Sequence, residues 1–432
     1  MTPTDGCPEF ESLNYFRGGS DIHQCPYPYY EWIRAQGPVW QDPRGVVFVT
    51  GYDEVIQILH DPQTWSNCNT VSGPFVKMSV PLVGDDISAI IEQHRDELPF
   101  SDQLPSFDPP EHTAHRGLLM RLITPKRLKE NEEFLWAFSD ETMDEFFDRG
   151  SCELVQDYAI PYTVMVVADL LGVPDDDRDK FREHVAHHER PDEIEHKPLE
   201  FLYDQFTRYI EDRRAQPRDD VMTEMSQATF PDGTLPSVED VMKIAANLFA
   251  AGGETTARLI TSSFKIIGDR PDIQQQLRND PQLISPFIEE VLRLETPLKG
   301  SFKLSRVRTT IAGVELPPGT TVFVMNDAAN RDPRQFDDPN DFRVDRPNPR
   351  QHLGFGHGIH TCAGSPLARA EAHATITRFL ARTSDIRISE AHHGPPGSRA
   401  YHYDPTHMMR GVSELNLEFT PAASTAERND PS

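Results

Sequence analysis

Helical periodicity runs for roughly 30 residues from Ser237-Val238-Glu239-Asp240 to Lys265 and beyond, until Gly268-Asp269-Arg270-Pro271 ends it. At about 1.5 Å per residue such a helix is about 45 Å long, enough to cross a large domain. The rest of the chain must pack around it, which implies a mainly α architecture. Its middle differs from its ends: Ala250-Ala251-Gly252-Gly253-Glu254-Thr255-Thr256 sets two glycines, an acid and two hydroxyls into an apolar segment. Each glycine costs about 1 kcal/mol relative to alanine. The expectation is a locally weakened helix that opens room for a small ligand and its hydrogen bonds. The plainer reading is a glycine pair packed at a helix crossing.

A second stretch carries the chemistry. Phe355-Gly356-His357-Gly358-Ile359-His360-Thr361-Cys362-Ala363-Gly364 surrounds one cysteine with glycines, so that a flat, bulky group can approach the backbone. Pro366 to Ala374 then forms a helix, with Pro366 suited to its first turn. A sulfur just before a helix N-terminus is expected to ionise readily. A thiolate there can be a nucleophile activated by His357 or His360, a metal ligand, or the proximal ligand of haem iron. Zinc is disfavoured because no second cysteine lies near the loop.

The 432 residues carry a formal net charge of −27, which argues against nucleic acid and anionic membrane surfaces as partners. Five scattered cysteines, Cys7, Cys25, Cys68, Cys152 and Cys362, suggest neither a disulfide framework nor a zinc module. Met1 to Gly6 lacks the regions of a signal peptide, and no run of about 18 apolar residues occurs. A cytoplasmic, monomeric protein with no membrane association is expected. One domain over residues 1–420 and a disordered tail over 421–432 complete the expected organisation.

Helices are expected near 26–37, 53–60, 131–149, 159–171 and 199–214, and a hairpin over Val39-Trp40 and Val46-Val47-Phe48-Val49. Residues 67–104 read as a long irregular stretch, either substrate-contacting or plain surface loop. Asp108 reads as an N-cap with Glu111 at the capping-box position. His112 and Arg116 follow, four apart on one face, able to grip an anion or simply to face solvent. Glu290 and Arg293 meet on another helix face. Thr321 to Val324 has strand character, and Asn330 to Arg350 reads as ordered coil.

Together these stretches resemble the cytochrome P-450 superfamily, specifically its soluble bacterial enzymes, over nearly the whole chain. F-G-x-G-x-H-x-C-x-G is matched at Phe355, Gly356, Gly358, His360, Cys362 and Gly364. A-G-x-(D/E)-T-(T/S) is matched at Ala251, Gly252, Glu254, Thr255 and Thr256. E-x-x-R is matched at Glu290 and Arg293, and H-x-x-x-R at His112 and Arg116. The resemblance implies the P-450 fold, mainly α with a smaller β region, enclosing haem b with Cys362 as iron ligand. His112, Arg116 and His360 would bind the haem propionates, joined by Lys303 where many relatives carry arginine; Arg306 or Arg308 is the alternative. Glu290 and Arg293 would lock the coil near Arg346, or alternatively His352, onto the core. Glu254 would relay protons, and Thr255 would hold dioxygen and water by hydrogen bonds.

The implied activity is hydroxylation: one oxygen atom of O2 inserted into an apolar small molecule, with electrons from NAD(P)H through ferredoxin reductase and ferredoxin. The alternatives are a peroxide-driven oxidant and a non-catalytic haem-thiolate binding or sensing protein. Phe75, Val76, Leu82, Leu248, Ala251, Leu298, Met408 and Met409 fall in stretches that line the pocket of relatives, each of which could equally be core. They suggest a terpenoid, steroid or aromatic substrate, with Lys299 a possible anchor for a carboxylate. Arg116, Lys126, Arg127 and Arg369 are candidate ferredoxin contacts.

Overall fold

The computed structural model describes residues 10, 14–16, 21–187 and 200–422. The long helix is α8, Val238–Asp269, with α1 Tyr27–Gln36, α2 Tyr52–Leu59, α3 Ser88–His94, α4 Glu111–Leu122, α5 Pro125–Asp144, α6 Ile160–Leu170 and α7 Glu200–Ala215 before it. After it come α9 Ile284–Leu294 and α10 Ser365–Arg382. A capping box starts α8: Ser237 Oγ accepts from Asp240 N–H at 3.0 Å, and Asp240 Oδ2 accepts from Ser237 N–H at 2.9 Å. Its apolar positions Val241, Ile244, Ala245, Phe249, Leu259, Ile260, Phe264 and Ile267 are buried, and it packs against α6, α7 and α10. It is the axis of the main core.

The glycine pair does not interrupt this helix, contrary to the expected weakening; α structure runs unbroken through Gly252 and Gly253. A Cβ on Gly252 would lie 2.7 Å from Val167 Cγ2, and one on Gly253 would lie 3.1 Å from Val164 Cγ2. The Gly253 carbonyl also accepts from Thr163 Oγ1 at 2.8 Å. The glycines let α6 lie directly on α8, which is the packing alternative.

Strands β1 Val39–Gln41, β2 Val47–Val49, β3 Trp65–Ser66, β5 Gly300–Ser305 and β8 Thr321–Met325 form a sheet in the order β1-β2-β8-β5-β3, parallel only between β2 and β8. A second sheet orders β4 Ser151–Glu153, β10 Asn416–Pro421 and β9 Thr383–Ile388 as β4-β10-β9, and β6 Thr309–Ile311 pairs with β7 Val314–Leu316. Pro421, expected to begin a tail, instead closes β10, and Ala422 N–H donates to Arg382 O at 2.8 Å; residues 423–432 lie outside the described ones. The irregular stretch 67–104 contains α3, which its sequence did not announce. No helix among the described residues is long and apolar enough to cross a membrane.

Asp108 does not cap α4 either, since Pro110 holds that position and no side chain caps the helix. The Asp108 carboxylate is buried instead, accepting from Asn67 N–H at 2.8 Å and Ser66 Oγ at 2.5 Å, and from Arg95 and Arg306 at 2.7 and 2.6 Å. Two guanidiniums in reach from distant segments are stronger partners than one helix end.

Candidate active site

The cysteine loop is closed by Cys362 N–H donating to Phe355 O at 2.9 Å, with left-handed turns at Gly356 (φ 65°) and Gly358 (φ 72°). Gly358 serves a backbone neighbour: a Cβ there would lie 2.1 Å from Leu59 O, at the end of α2. Gly364 is helical (φ −75°) and begins α10. The N–H groups of Gly364 and Ser365 hydrogen-bond to the Cys362 sulfur. Even so, burial pushes the thiol up from its ordinary value, and the two N–H groups and Arg116 offset only part of that. The sequence expectation of a lowered pKa is therefore corrected: the helix terminus is present, but desolvation outweighs it. Cys362 nonetheless keeps exposed surface as a residue, so it is hemmed in yet reachable.

Beside it stands a group of basic side chains. His112 and His360 have ring centroids 4.1 Å apart, and Arg116 Nη2 donates to Thr361 O at 2.5 Å. Lys303, on β5, is buried and donates to Asn67 Oδ1. Burial and the neighbouring charges push His112 down to about 4 and His360 to about 2, and burial pushes Lys303 down to about 8. Among the described residues, His112 Nε2 is buried with no hydrogen-bond partner. Arg306 is engaged by Asp108, and Arg308 is exposed, so Lys303 is the cation that faces the two histidines. Four basic groups, of which Arg116 and Lys303 help to depress the two histidines, with a buried nitrogen unpartnered among the described residues, suit a ligand carrying carboxylates.

On α8, Ala250, Ala251 and Glu254 keep exposed surface in the middle of an otherwise buried helix. Thr255 Oγ1 donates to Ala251 O at 2.8 Å, which leaves its lone pairs free to accept. Glu254 is in an ion pair with Arg258 one turn on, at 2.5 Å, and Arg258 reaches Asp404 at 2.6 Å. Sequence reasoning overlooked both partners. The i, i+4 spacing from Glu254 was a signal for Arg258, but nothing in the sequence pointed to Asp404.

The cytochrome P450 family model matches residues 180–384. Cytochrome P450 144 of Mycobacterium tuberculosis is 33% identical over 396 residues, covering 88% of this chain and 87% of that protein. The chain belongs to the cytochrome P450 family. The substrate-free structure of Mycobacterium marinum cytochrome P450 CYP150A6 superposes with a TM-score of 0.91 at 47% identity, covering 96% of this chain and all of that one. The steroid C26-monooxygenase of Mycobacterium tuberculosis is 28% identical over 402 residues, covering 91% and 92%. The fold is thus that of the bacterial P450s, and the protein is a haem-containing monooxygenase, an oxidoreductase.

The residues present fit the haem that this P450 family carries: a reachable cysteine with two N–H groups on its sulfur, and a carboxylate-seeking cluster at its side. Behind the cysteine loop, Glu290 takes Arg293 bidentately at 2.7 and 2.8 Å and Arg346 at 2.9 and 3.0 Å, with both guanidiniums buried. Arg293 and Arg346 also donate to the carbonyls of Asn330, Pro339, Asp337 and Asp341, which fixes the coil before the loop. His352 pairs instead with Glu289 at 2.9 Å. Arg369 also binds Glu289, at 2.6 Å, and lies 4.6 Å over the Phe355 ring; Arg127 pairs with Glu130 and Glu224. Of the four candidate ferredoxin contacts only Lys126 is largely exposed.

The pocket candidates divide. Leu298 bridges Met409, and Lys299 N–H donates to Met408 O at 2.8 Å, so these apolar residues adjoin. Phe75 is exposed and packs on Phe16, Phe302 and His407, and Val76 beside it is exposed too. Leu82 packs with Cys68, Ile87 and Leu304, and Leu248 belongs to the main core. Lys299 is fully buried and donates to Thr406 O at 2.7 Å, so it offers no anchor for a carboxylate.

Proposed function

We propose that this P450 hydroxylates an apolar, polycyclic small molecule of the steroid or terpenoid class, drawing electrons from NAD(P)H through a ferredoxin reductase and a ferredoxin. The observation that carries the reading is Cys362 with its two N–H donors beside the His112, Arg116, Lys303 and His360 cluster; the Glu254–Thr255 pair in the exposed middle of α8 supports it. Bound haem supplies the iron at which O2 is activated. Cys362 would be its thiolate ligand, with the Gly364 and Ser365 N–H groups moderating the charge on sulfur. His112, Arg116, Lys303 and His360 would take the propionates. Thr255, whose hydroxyl donates its hydrogen bond to Ala251 O, would accept one from a water, and Glu254 would pass protons from solvent to that water.

The substrate class rests on the apolar patch of Leu298, Met408, Met409, Phe75 and Val76, and on relatives. A steroid C26-monooxygenase is among them, and Bacillus megaterium CYP109E1, known in complex with corticosterone, is 26% identical at a TM-score of 0.78. The electron source rests on the likeness to the bacterial P450s. Reduction with dithionite under carbon monoxide tests the core of the reading: a band near about 450 nm is expected from an axial thiolate. Cys362→Ser should abolish that band. A band typical of histidine ligation in folded wild-type protein would overturn the assignment, and failure of steroids and terpenoids to shift the spin state would overturn the substrate class.

A further inference from the structure

Glu254 does not stand alone. Arg258, four residues later on α8, donates one Nη to Glu254 and the other to Asp404, so a single guanidinium serves two carboxylates from opposite sides. Arg258 is largely buried and its Nε has no partner among the described residues, whereas Glu254 is well exposed. The stem of Arg258 is held by the segment that carries Asp404. Tyr403 bridges Val412, and Asp404 N–H lies 3.4 Å from Gly411 O. A Cβ at Gly411 would be 2.7 Å from Arg258 Cγ and 2.8 Å from Nη1. Any side chain larger than glycine would push the arginine off its seat.

This arrangement has an energetic consequence. Were Glu254 the sole partner of Arg258, each rotation of the acid away from it would leave a buried guanidinium unpaired, and the acid would stay locked. With Asp404 in place Arg258 remains paired while Glu254 turns. We propose that Arg258 and Asp404 are positioning residues that hold and release Glu254, with Asp404 setting how readily the acid is free to carry a proton. The inference rests on the role assigned to Glu254 above. It also joins the proton path to the apolar patch, because Asp404, Met408 and Met409 share one segment, tied to Leu298 and Lys299.

The test compares Asp404→Asn, Arg258→Gln and the double variant, each first shown to give the wild-type carbon monoxide band. Oxygen consumption is driven by NADPH with spinach ferredoxin and its reductase, in H2O and in D2O. Asp404→Asn should slow consumption about fivefold, equivalent to strengthening one half-buried ion pair by about 1 kcal/mol, and raise the solvent isotope effect. The double variant should regain the rate of Arg258→Gln, because without the guanidinium nothing locks Glu254; a purely structural role for Asp404 would show no such rescue. Independently of turnover, the loss of thermal midpoint caused by Glu254→Gln should be larger in the Asp404→Asn background than in wild type. An unchanged rate and isotope effect in Asp404→Asn, or a double variant as slow as the single, would overturn the inference alone. Absence of the thiolate band in wild type would instead overturn the functional reading on which it rests.

Discussion

Replacing Gly252 by alanine separates the two physical readings of the middle of α8. The new Cβ would sit 2.7 Å from Val167 Cγ2, about 1 Å inside ordinary carbon–carbon contact. Alanine in a helix interior gains about 1 kcal/mol over glycine, whereas forcing a methyl into a packed core costs about 1–3 kcal/mol. Gly252→Ala should therefore destabilise by up to about 2 kcal/mol, the difference between those two effects. Removing the obstacle should change the sign of the interaction. Val167→Ala costs stability by itself through the cavity it leaves, but Gly252→Ala added to it fills part of that space and keeps its helical gain. The double variant should thus be more stable than the sum of the single losses by about 0.5–3 kcal/mol. Urea unfolding followed by circular dichroism, on all four proteins at equal haem content, reads this as midpoint shifts at constant slope. If the glycines serve instead to loosen α8, Gly252→Ala will stabilise and its effect will add simply to that of Val167→Ala. That result would refute the packing argument.

Glu290→Ala leaves the buried guanidiniums of Arg293 and Arg346 without their shared carboxylate and should cost about 3–5 kcal/mol, measured in the same unfolding assay; a loss under about 1 kcal/mol would show that the backbone carbonyls suffice. Lys303→Met should speed transfer of haem to apomyoglobin about tenfold, one lost charge-assisted hydrogen bond. Arg306→Gln, which acts at Asp108, should lower the unfolding midpoint without changing that transfer rate. Acid should destabilise the protein through Glu289 and Glu295. Burial opposes their charge, but His352 and Arg369 around the first, and Lys265 and Arg410 around the second, hold both down to about 2. Both carboxyls titrate near about 4.3 when unfolded, so their contribution is complete above that pH and is lost as pH falls towards about 2. The urea midpoint should decline from about pH 5 to pH 3, less steeply in Glu289→Gln; a flat profile would contradict the assignment.

The sequence by itself determined what depends on neighbours along the chain. The capping box of Ser237 and Asp240, the helical run to Asp269, the bidentate Glu290–Arg293 pair and the turn-forming glycines before α10 are local, set by spacings of three and four residues and by backbone conformation. Their order along the chain also carried the family. Only the tertiary structure decided matters that turn on competition between distant groups. Asp108 could have capped α4, but Arg95 and Arg306 arrive from elsewhere and claim its carboxylate. Cys362 lies at a helix terminus as its sequence requires, yet the protein folded over it raises its thiol pKa, because desolvation depends on everything nearby and not on the adjoining turn. Arg258 was legible four residues from Glu254, while Asp404, 146 residues further on, joined it only when the chain returned. Spacing fixes which groups can meet within one helix. Which charge wins a shared partner is settled by burial and by segments that the fold alone brings together.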